Sequence, residues 1–311
     1  MGRFVLKRLL QVIPVLIGIS IIIFTIMQLS PSNPARLILG EKATEEQIEA
    51  LSAELGTDQP AVKQYFNYMG GLLHGDLGNS YRTRMPVMDE IVDRFPTTFF
   101  LAILVMVVST AISIPLGVLS SLRQNSLFDA ITTIIALLLT AMPSFWLGLM
   151  LMLIFAEKLQ WLPAIGSTEF IHFIMPTLTL SAANIASNMR MTRSSMLEVI
   201  RQDYIRTARA KGAPEKVVIV KHALKNALIP VVTAIGMNFG WSLGGAVLIE
   251  SVFSMKGLGT LLLNGVRTKD VPVVMSAVLV TSLIFCVVTL LVDISYGFID
   301  PRIKAQYENK R

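Results

Sequence analysis

The pentapeptide GWSLG, Gly240 to Gly244, sets a serine between two glycines in the G-x-S-x-G spacing that exposes a nucleophilic hydroxyl in many hydrolases. A serine nucleophile needs a base to take its proton, and no histidine follows Ser242 anywhere in the chain. The three histidines, His74, His172 and His222, are scattered, with no H-E-x-x-H and no His/Cys cluster at metal-ligand spacing. No G-x-x-x-x-G-K-[ST] string is present to cradle nucleotide phosphates. Cys286 is the single cysteine, which excludes a disulfide scaffold. The serine stretch also reads as Gly236, Gly240 and Gly244 in tandem GxxxG, a spacing that lets one helix pack closely on another, and that is the reading adopted. No catalytic residue, bound metal or cofactor is therefore expected on this chain.

The elements that carry these residues follow from composition. Of 311 residues, 53% are hydrophobic and only 15% charged, with a mean hydropathy of +0.62. A soluble domain is about a quarter charged, so a soluble enzyme is excluded, as is disorder. Six windows lack Asp, Glu, Lys and Arg for long enough to cross a hydrocarbon core: 9–29, 97–122, 130–156, 170–189, 226–249 and 271–292. The fourth is the least apolar, holding His172, Asn184 and Asn188. The first is too long for a cleavable signal and lacks a small-residue cleavage pattern, so it reads as an uncleaved anchor.

With the N-terminus inside, segments 1–8, 123–129, 190–225 and 293–311 hold 17 Lys and Arg, against four in the short outside loops 157–169 and 250–270. The positive-inside rule then places both termini in the cytoplasm. The formal charge of +6 thus reports orientation, not nucleic acid; segment 190–225 alone carries a net +6. The expected organisation is a cytoplasmic segment with a first helix (1–29), an extracytoplasmic subdomain (30–96), a five-helix core (97–292) and a cytoplasmic tail (293–311).

Within 30–96, Thr44 and Gln47 form a capping-box pattern, Ile48, Leu51 and Leu55 share a face, and Gly56 is a natural stop. A second helix is expected from Pro60, presenting Val62, Tyr65, Phe66 and Met69, followed by a turn-rich connection through Pro86. In 190–225, Met196, Leu197, Ile200, Tyr204 and Ala208 recur at helical spacing, opposite Arg201, Arg206 and Arg209. Gly212 can end that helix in a left-handed conformation and Pro214 can open the next. A basic amphipathic helix of this kind suits either anionic lipid headgroups or a protein partner.

The strings DYIRTARAKG and HALKNALIPVVT resemble the cytoplasmic "EAA" loop of permease subunits of binding-protein-dependent ABC importers, in the dipeptide, oligopeptide and nickel branch. The resemblance extends over essentially the whole chain, through KRLLQVIPVLIGIS, GDLGNSYRTRMPV, LQWLPAIG, IESVFSMKGLG, TKDVPV and IDPRIK in the family's order. Arg206, Thr207 and Ala208 replace the general Glu-Ala-Ala, and Leu224 and Lys225 the Leu-Pro, as in this branch; Lys256 stands where proline is common. The resemblance implies an all-α, type I importer permease fold with six transmembrane helices in the bacterial inner membrane. It also implies a homologous second permease subunit, an extracytoplasmic binding protein, and two ATP-binding subunits that carry ATP and Mg. The coupling helix that docks on an ATPase subunit falls on Tyr204, Arg206, Thr207, Ala208, Arg209, Ala210, Lys211, Gly212 and Ala213, with small residues permitting close backbone approach.

Pro115, Pro143, Pro176 and Pro230 lie in or near the spans, where proline bends helices. Asn184, Asn188 and Asn238 are polar at membrane depth and are candidates to line the transport pathway, or else to hydrogen bond between helices. A proton-coupled transporter is a competing class, but it usually needs ionisable residues within the spans, and the six windows contain no Asp, Glu, Lys or Arg. The expected cargo is a dipeptide or oligopeptide, with nickel, a metal chelate or glutathione as the alternatives within the branch.

Overall fold

In a computed structural model that describes residues 2–299, every regular element is helical. From 300 onward the expected tail, and with it most of IDPRIK, lies outside the described residues. The N-terminal α1 (Gly2–Leu29) is followed by three short helices, α2 (Pro34–Leu39), α3 (Glu45–Leu55) and α4 (Ala61–Leu73). Then come α5 (Val87–Leu122), α6 (Leu127–Ala141), α7 (Ser144–Leu151) with a π-helical continuation Met152–Lys158, and α8 (Ile171–Ile200). The chain closes with α9 (Asp203–Ala210), α10 (Glu215–Val217) running through a π-helical turn Val218–Leu224 into α11 (Lys225–Val252), α12 (Leu258–Thr268) and α13 (Val271–Ile299).

Four stretches are helical, long and apolar enough to cross a membrane: Arg8–Leu29, Val87–Leu122, Glu215–Val252 and Val271–Val292. The pair α6 and α7 makes a fifth if it counts as one span, its halves meeting at 101° near the Pro143 expected to bend the 130–156 window. The break falls at Met142, extended at φ −76° and ψ 127°, just before Pro143. Proline disfavours a helical preceding residue and supplies no N–H, so the turn is written into that dipeptide. The fourth expected span falls in α8, which is 30 residues or about 45 Å long, yet it is not among these apolar stretches. Its polar residues are tolerated because it lies inside the bundle, packed mainly on α5, α11 and α6 with fourteen of its residues buried. At Gly117 of α5 an added Cβ would stand 2.6 Å from Thr192 and 2.7 Å from the Met189 carbonyl, so glycine sets how closely α5 and α8 approach.

The helices α5, α8 and α11 define two ends of the bundle. At one, Thr98 near the start of α5 meets Glu250 near the end of α11, and Lys269 before α13 donates to the carbonyls of Ser30 and Ser32 after α1. At the other, Arg201 at the end of α8 reaches Gln124 after α5, and Asn226 at the start of α11 donates to Tyr204 of α9. The principal core joins α5, α8 and α11 through Leu101, Val105, Phe173, Met175, Ala246 and Ile249.

The 30–96 region departs from its sequence pattern in two places. The capping box of Thr44 and Gln47 forms, Ile48 and Leu51 are buried, and Gly56 closes α3 at φ +68°. In α4, however, Val62 and Phe66 are exposed, and the inward face is Tyr65 and Tyr68. Tyrosine enters an interior when its hydroxyl finds a partner, and these find Ser20 of α1 at 2.8 Å and Ser276 of α13 at 2.9 Å. The connection before the core is also shorter than expected, because α5 starts at Val87, ten residues ahead of the charge-free window. Beyond α11, the loop 250–270 contains α12, a helix that the sequence reading did not anticipate.

Candidate coupling site

The short helix α9 is held against the bundle by one face. Ile205 is fully buried with Met196 of α8 and Val218, Ile219, Ala223 and Ala227 of the α10–α11 segment, and Ala208 packs beside them. Burying an isoleucine contributes roughly 2 kcal/mol, enough to fix the orientation of an eight-residue helix that would not persist alone. The apolar stripe read as one helix from Met196 to Ala208 is divided: α8 ends at Ile200, and Gln202 is extended at ψ 148° before α9 begins. The buried knob is therefore Ile205, whereas Tyr204 is 45% exposed.

The opposite face of α9 is open. Tyr204, Arg206, Thr207, Arg209, Ala210, Lys211 and Gly212 are exposed, while Ala208 and Ala213 are half-buried. Arg206 lies 3.7 Å from Asp203, a loose pair across one helical turn, and its side chain remains 78% exposed. Arg209 is held by two hydrogen bonds to Glu215, at 2.7 and 3.1 Å, which brace α9 on α10 and raise the arginine's already high pKa. Gly212 adopts φ +77° with nothing within 4 Å of where a Cβ would stand. Its glycine is thus explained by the left-handed turn, and Pro214 then caps α10.

A polar cluster whose pairing has no sequence signature joins α5, α6 and α8. Asp129, in the first turn of α6 and 4% exposed, accepts from Arg193 of α8 through Nε at 2.6 Å and Nη2 at 2.7 Å. The Ser120 hydroxyl of α5 and the Asn125 amide, at 3.0 Å, complete its acceptors, and Ser126 caps α6 by accepting from the Asp129 amide. The available signal was Ser126 followed three residues later by an acid, the pattern of a helix start. Nothing in the sequence marked Arg193 as its partner.

The other end is closed by a buried cap. Glu250 is 0% exposed, accepts from the Thr98 hydroxyl and, at 3.0 Å, from the Thr260 amide in the first turn of α12, while Thr98 accepts from the Leu258 amide at 2.8 Å. The carboxylate and Thr98 so satisfy amides that the start of α12 leaves unpaired. The amide of Lys256 donates to Ser167 at 3.2 Å, a bond that proline in that place could not make. Asp270 accepts from the Ser80 hydroxyl at 2.6 Å and from the Arg82 amide, tying the 78–84 loop to α13. Burial, with the Asp270 charge adding, pushes the Tyr81 hydroxyl up to about 12.

Between α8 and α11, Asn238 donates to Asn188 at 2.7 Å and Asn184 donates to Ser242 at 2.8 Å. Ser242, 5% exposed, donates in turn to the Asn238 carbonyl. These three asparagines therefore sit in interhelical hydrogen bonds, and the GWSLG serine sits among them. An added Cβ at Gly236 would meet Val292 at 2.5 Å and one at Gly240 would overlap Phe285, both on α13, while Gly244 has no atom within 4 Å of that position. Among the described residues, no group of three His, Cys, Asp or Glu side chains is placed to hold a metal ion.

Comparison with known proteins bears on the whole chain. Residues 113–305 match the family described as binding-protein-dependent transport system inner membrane component, and residues 1–102 match that system's membrane component N-terminal family. The dipeptide transport system permease protein DppB of Alkalihalophilus pseudofirmus is 44% identical, over 98% of this chain and 100% of its own. The glutathione transport system permease protein GsiC of Escherichia coli is 41% identical, over 98% and 99% respectively. Among solved structures, an inward-facing MetNI methionine ABC transporter chain shares the fold, with a TM-score of 0.58 at 18% identity over 68% of this chain and 97% of that one.

Proposed function

The chain belongs to the inner membrane component family of binding-protein-dependent transport systems, as an ABC importer permease, and from this we propose that it carries dipeptides or oligopeptides inward across the bacterial inner membrane. The single observation that supports this cargo is the 44% identity to a dipeptide permease across its full length. A second reading, glutathione, is favoured by the 41% identity to GsiC. Glutathione is itself a tripeptide, so the two readings share backbone amides and terminal charges and differ in the γ-linkage.

In the proposed cycle, ATP and Mg are bound and hydrolysed on two separate ATP-binding subunits. The exposed face of α9, from Tyr204 to Ala213, seats on one of them, and both chain termini lie on that cytoplasmic side. The open left-handed turn at Gly212 and the small Ala210 allow the partner's backbone to come close, and Arg206 is placed to reach carbonyl or acidic groups. When the ATPase subunits close, α9 moves, and the spans of this chain and a homologous second permease subunit rock to face outward. An extracytoplasmic binding protein then releases its ligand into the pathway at the α12 end. Proline-interrupted α5, α8 and α11 and the bend at Pro143 suit such rocking.

The experiment that tests the cargo is purification of the cognate extracytoplasmic binding protein with its ligand, followed by mass spectrometry. A mixture of dipeptides or short peptides is expected; glutathione alone would shift the assignment to the second reading, and a lone metal chelate would overturn both.

A further inference from the structure

We infer that Asp129 and Arg193 form a positioning pair that makes the corner between α5 and α6 move as one body with α9, so that the coupling movement reaches α6 directly. The inference rests on the reading of α9 as the contact with an ATP-binding subunit. The two parallel hydrogen bonds at 2.6 and 2.7 Å fix the relative orientation of carboxylate and guanidinium as well as their separation. The remaining acceptor capacity of Asp129 is taken by the Ser120 hydroxyl and the Asn125 amide, so one carboxylate joins α5, the turn, α6 and α8.

The placement along α8 gives the pair its reach. Arg193 lies about two turns before Ile200, where the chain leaves α8 for α9, and Met196 between them is fully buried against Ile205 of α9. Arg201 reaches Gln124 at 3.5 Å, a second link between the end of α8 and the same corner. Gly117 brings α5 against the Met189 carbonyl and the Thr192 side chain of α8. Displacement of α9 therefore meets a braced assembly of α5, α6 and α8. The 101° break between α6 and α7 comes later and lies outside the atoms that the pair ties together. Leu127 and Gln202, one beside each end of this assembly, are both exposed and outside the pair.

The test is a distance measurement by pulsed electron paramagnetic resonance on the complete transporter in lipid nanodiscs, in a Cys286→Ser background. Spin labels at 127 and 202 are expected to keep their separation within about 2 Å, the scale of an ordinary helix shift, between nucleotide-free and ATP-bound states. Labels at 202 and 145, across the break, are expected to change separation. If the 127–202 distance changes as much as the 145–202 distance, the corner and α9 move separately and the inference fails. If neither distance responds to ATP, the α6–α7 break does not separate a moving corner from the rest of the chain and the inference fails, whereas the coupling reading is judged separately by uptake of Gly212→Trp. A second measurement uses Arg193→Lys, which keeps the charge but loses the fork. It is expected to assemble normally and to import about fivefold less substrate per ATP hydrolysed, the low end of allosteric coupling. An unchanged ratio would show that the pair only holds the fold.

Discussion

Gly257 stands against the carboxylate of Glu250, so closely that an added Cβ would overlap it, and Gly259 likewise would set a Cβ 2.5 Å from the Val247 α-carbon. The end of α11 and the start of α12 are thereby locked at backbone distance, with the buried acid supplying the acceptor for the first turn of α12. Gly257→Ala is expected to cost about 1–3 kcal/mol through overpacking at a site with no room to relax. Glu250→Gln, which keeps one acceptor oxygen, is expected to cost about 1–2 kcal/mol. Thermal unfolding in detergent reads both, and wild-type stability in Gly257→Ala would show that the cap is looser than described.

Gly212 separates backbone conformation from contact. Gly212→Asn tolerates φ +77° and adds little bulk, so it is expected to retain most transport. Gly212→Trp faces solvent in this chain alone, and is expected to leave the assembled complex but abolish ATP-driven uptake by filling the space against the partner. Normal uptake by the tryptophan variant in reconstituted vesicles would remove α9 from the interface.

Ser242→Ala is expected to transport normally. Among the described residues the serine's hydrogen bonds are with Asn184 and the Asn238 carbonyl, and losing one interhelical bond at membrane depth costs about 0.6 kcal/mol. A transport-dead Ser242→Ala at normal expression would revive the nucleophile reading.

The glycines of α11 are expected to differ. Gly240→Val forces a side chain into Phe285 of α13 and is expected to lower thermal stability by about 1–3 kcal/mol. Gly244→Ala meets nothing within 4 Å and is expected to be neutral or to stabilise the helix by up to about 1 kcal/mol. Equal destabilisation by both would mean that α11 packs on α13 in another register.

The features legible in the sequence were those written in local chemistry. Thr44 and Gln47 announced α3, Gly212 its left-handed turn, and the charge-free windows most of the spans. The sequence misled where a residue's environment is set from far away. Pro143 announced a bend within the 130–156 window but not its 101° angle, and the pattern in α4 set Val62 and Phe66 beside Tyr65 while passing over Tyr68, whose hydroxyl bonds to Ser276 of α13. The same limit hid the buried polar pairs at the two ends of the bundle. Asp129 and Arg193 are 64 residues apart, and Thr98 and Glu250 are 152 apart, so neither pairing has a local signature.

The central claim, that this chain is the membrane path of an ATP-driven peptide importer, is tested most directly by uptake into proteoliposomes. These would hold the chain with its homologous subunit and both ATP-binding subunits, with binding protein and a radiolabelled dipeptide outside. Accumulation is expected only with ATP and Mg in the lumen, and is expected to persist when the pH gradient is collapsed. Uptake that follows an imposed pH gradient without ATP would contradict the claim.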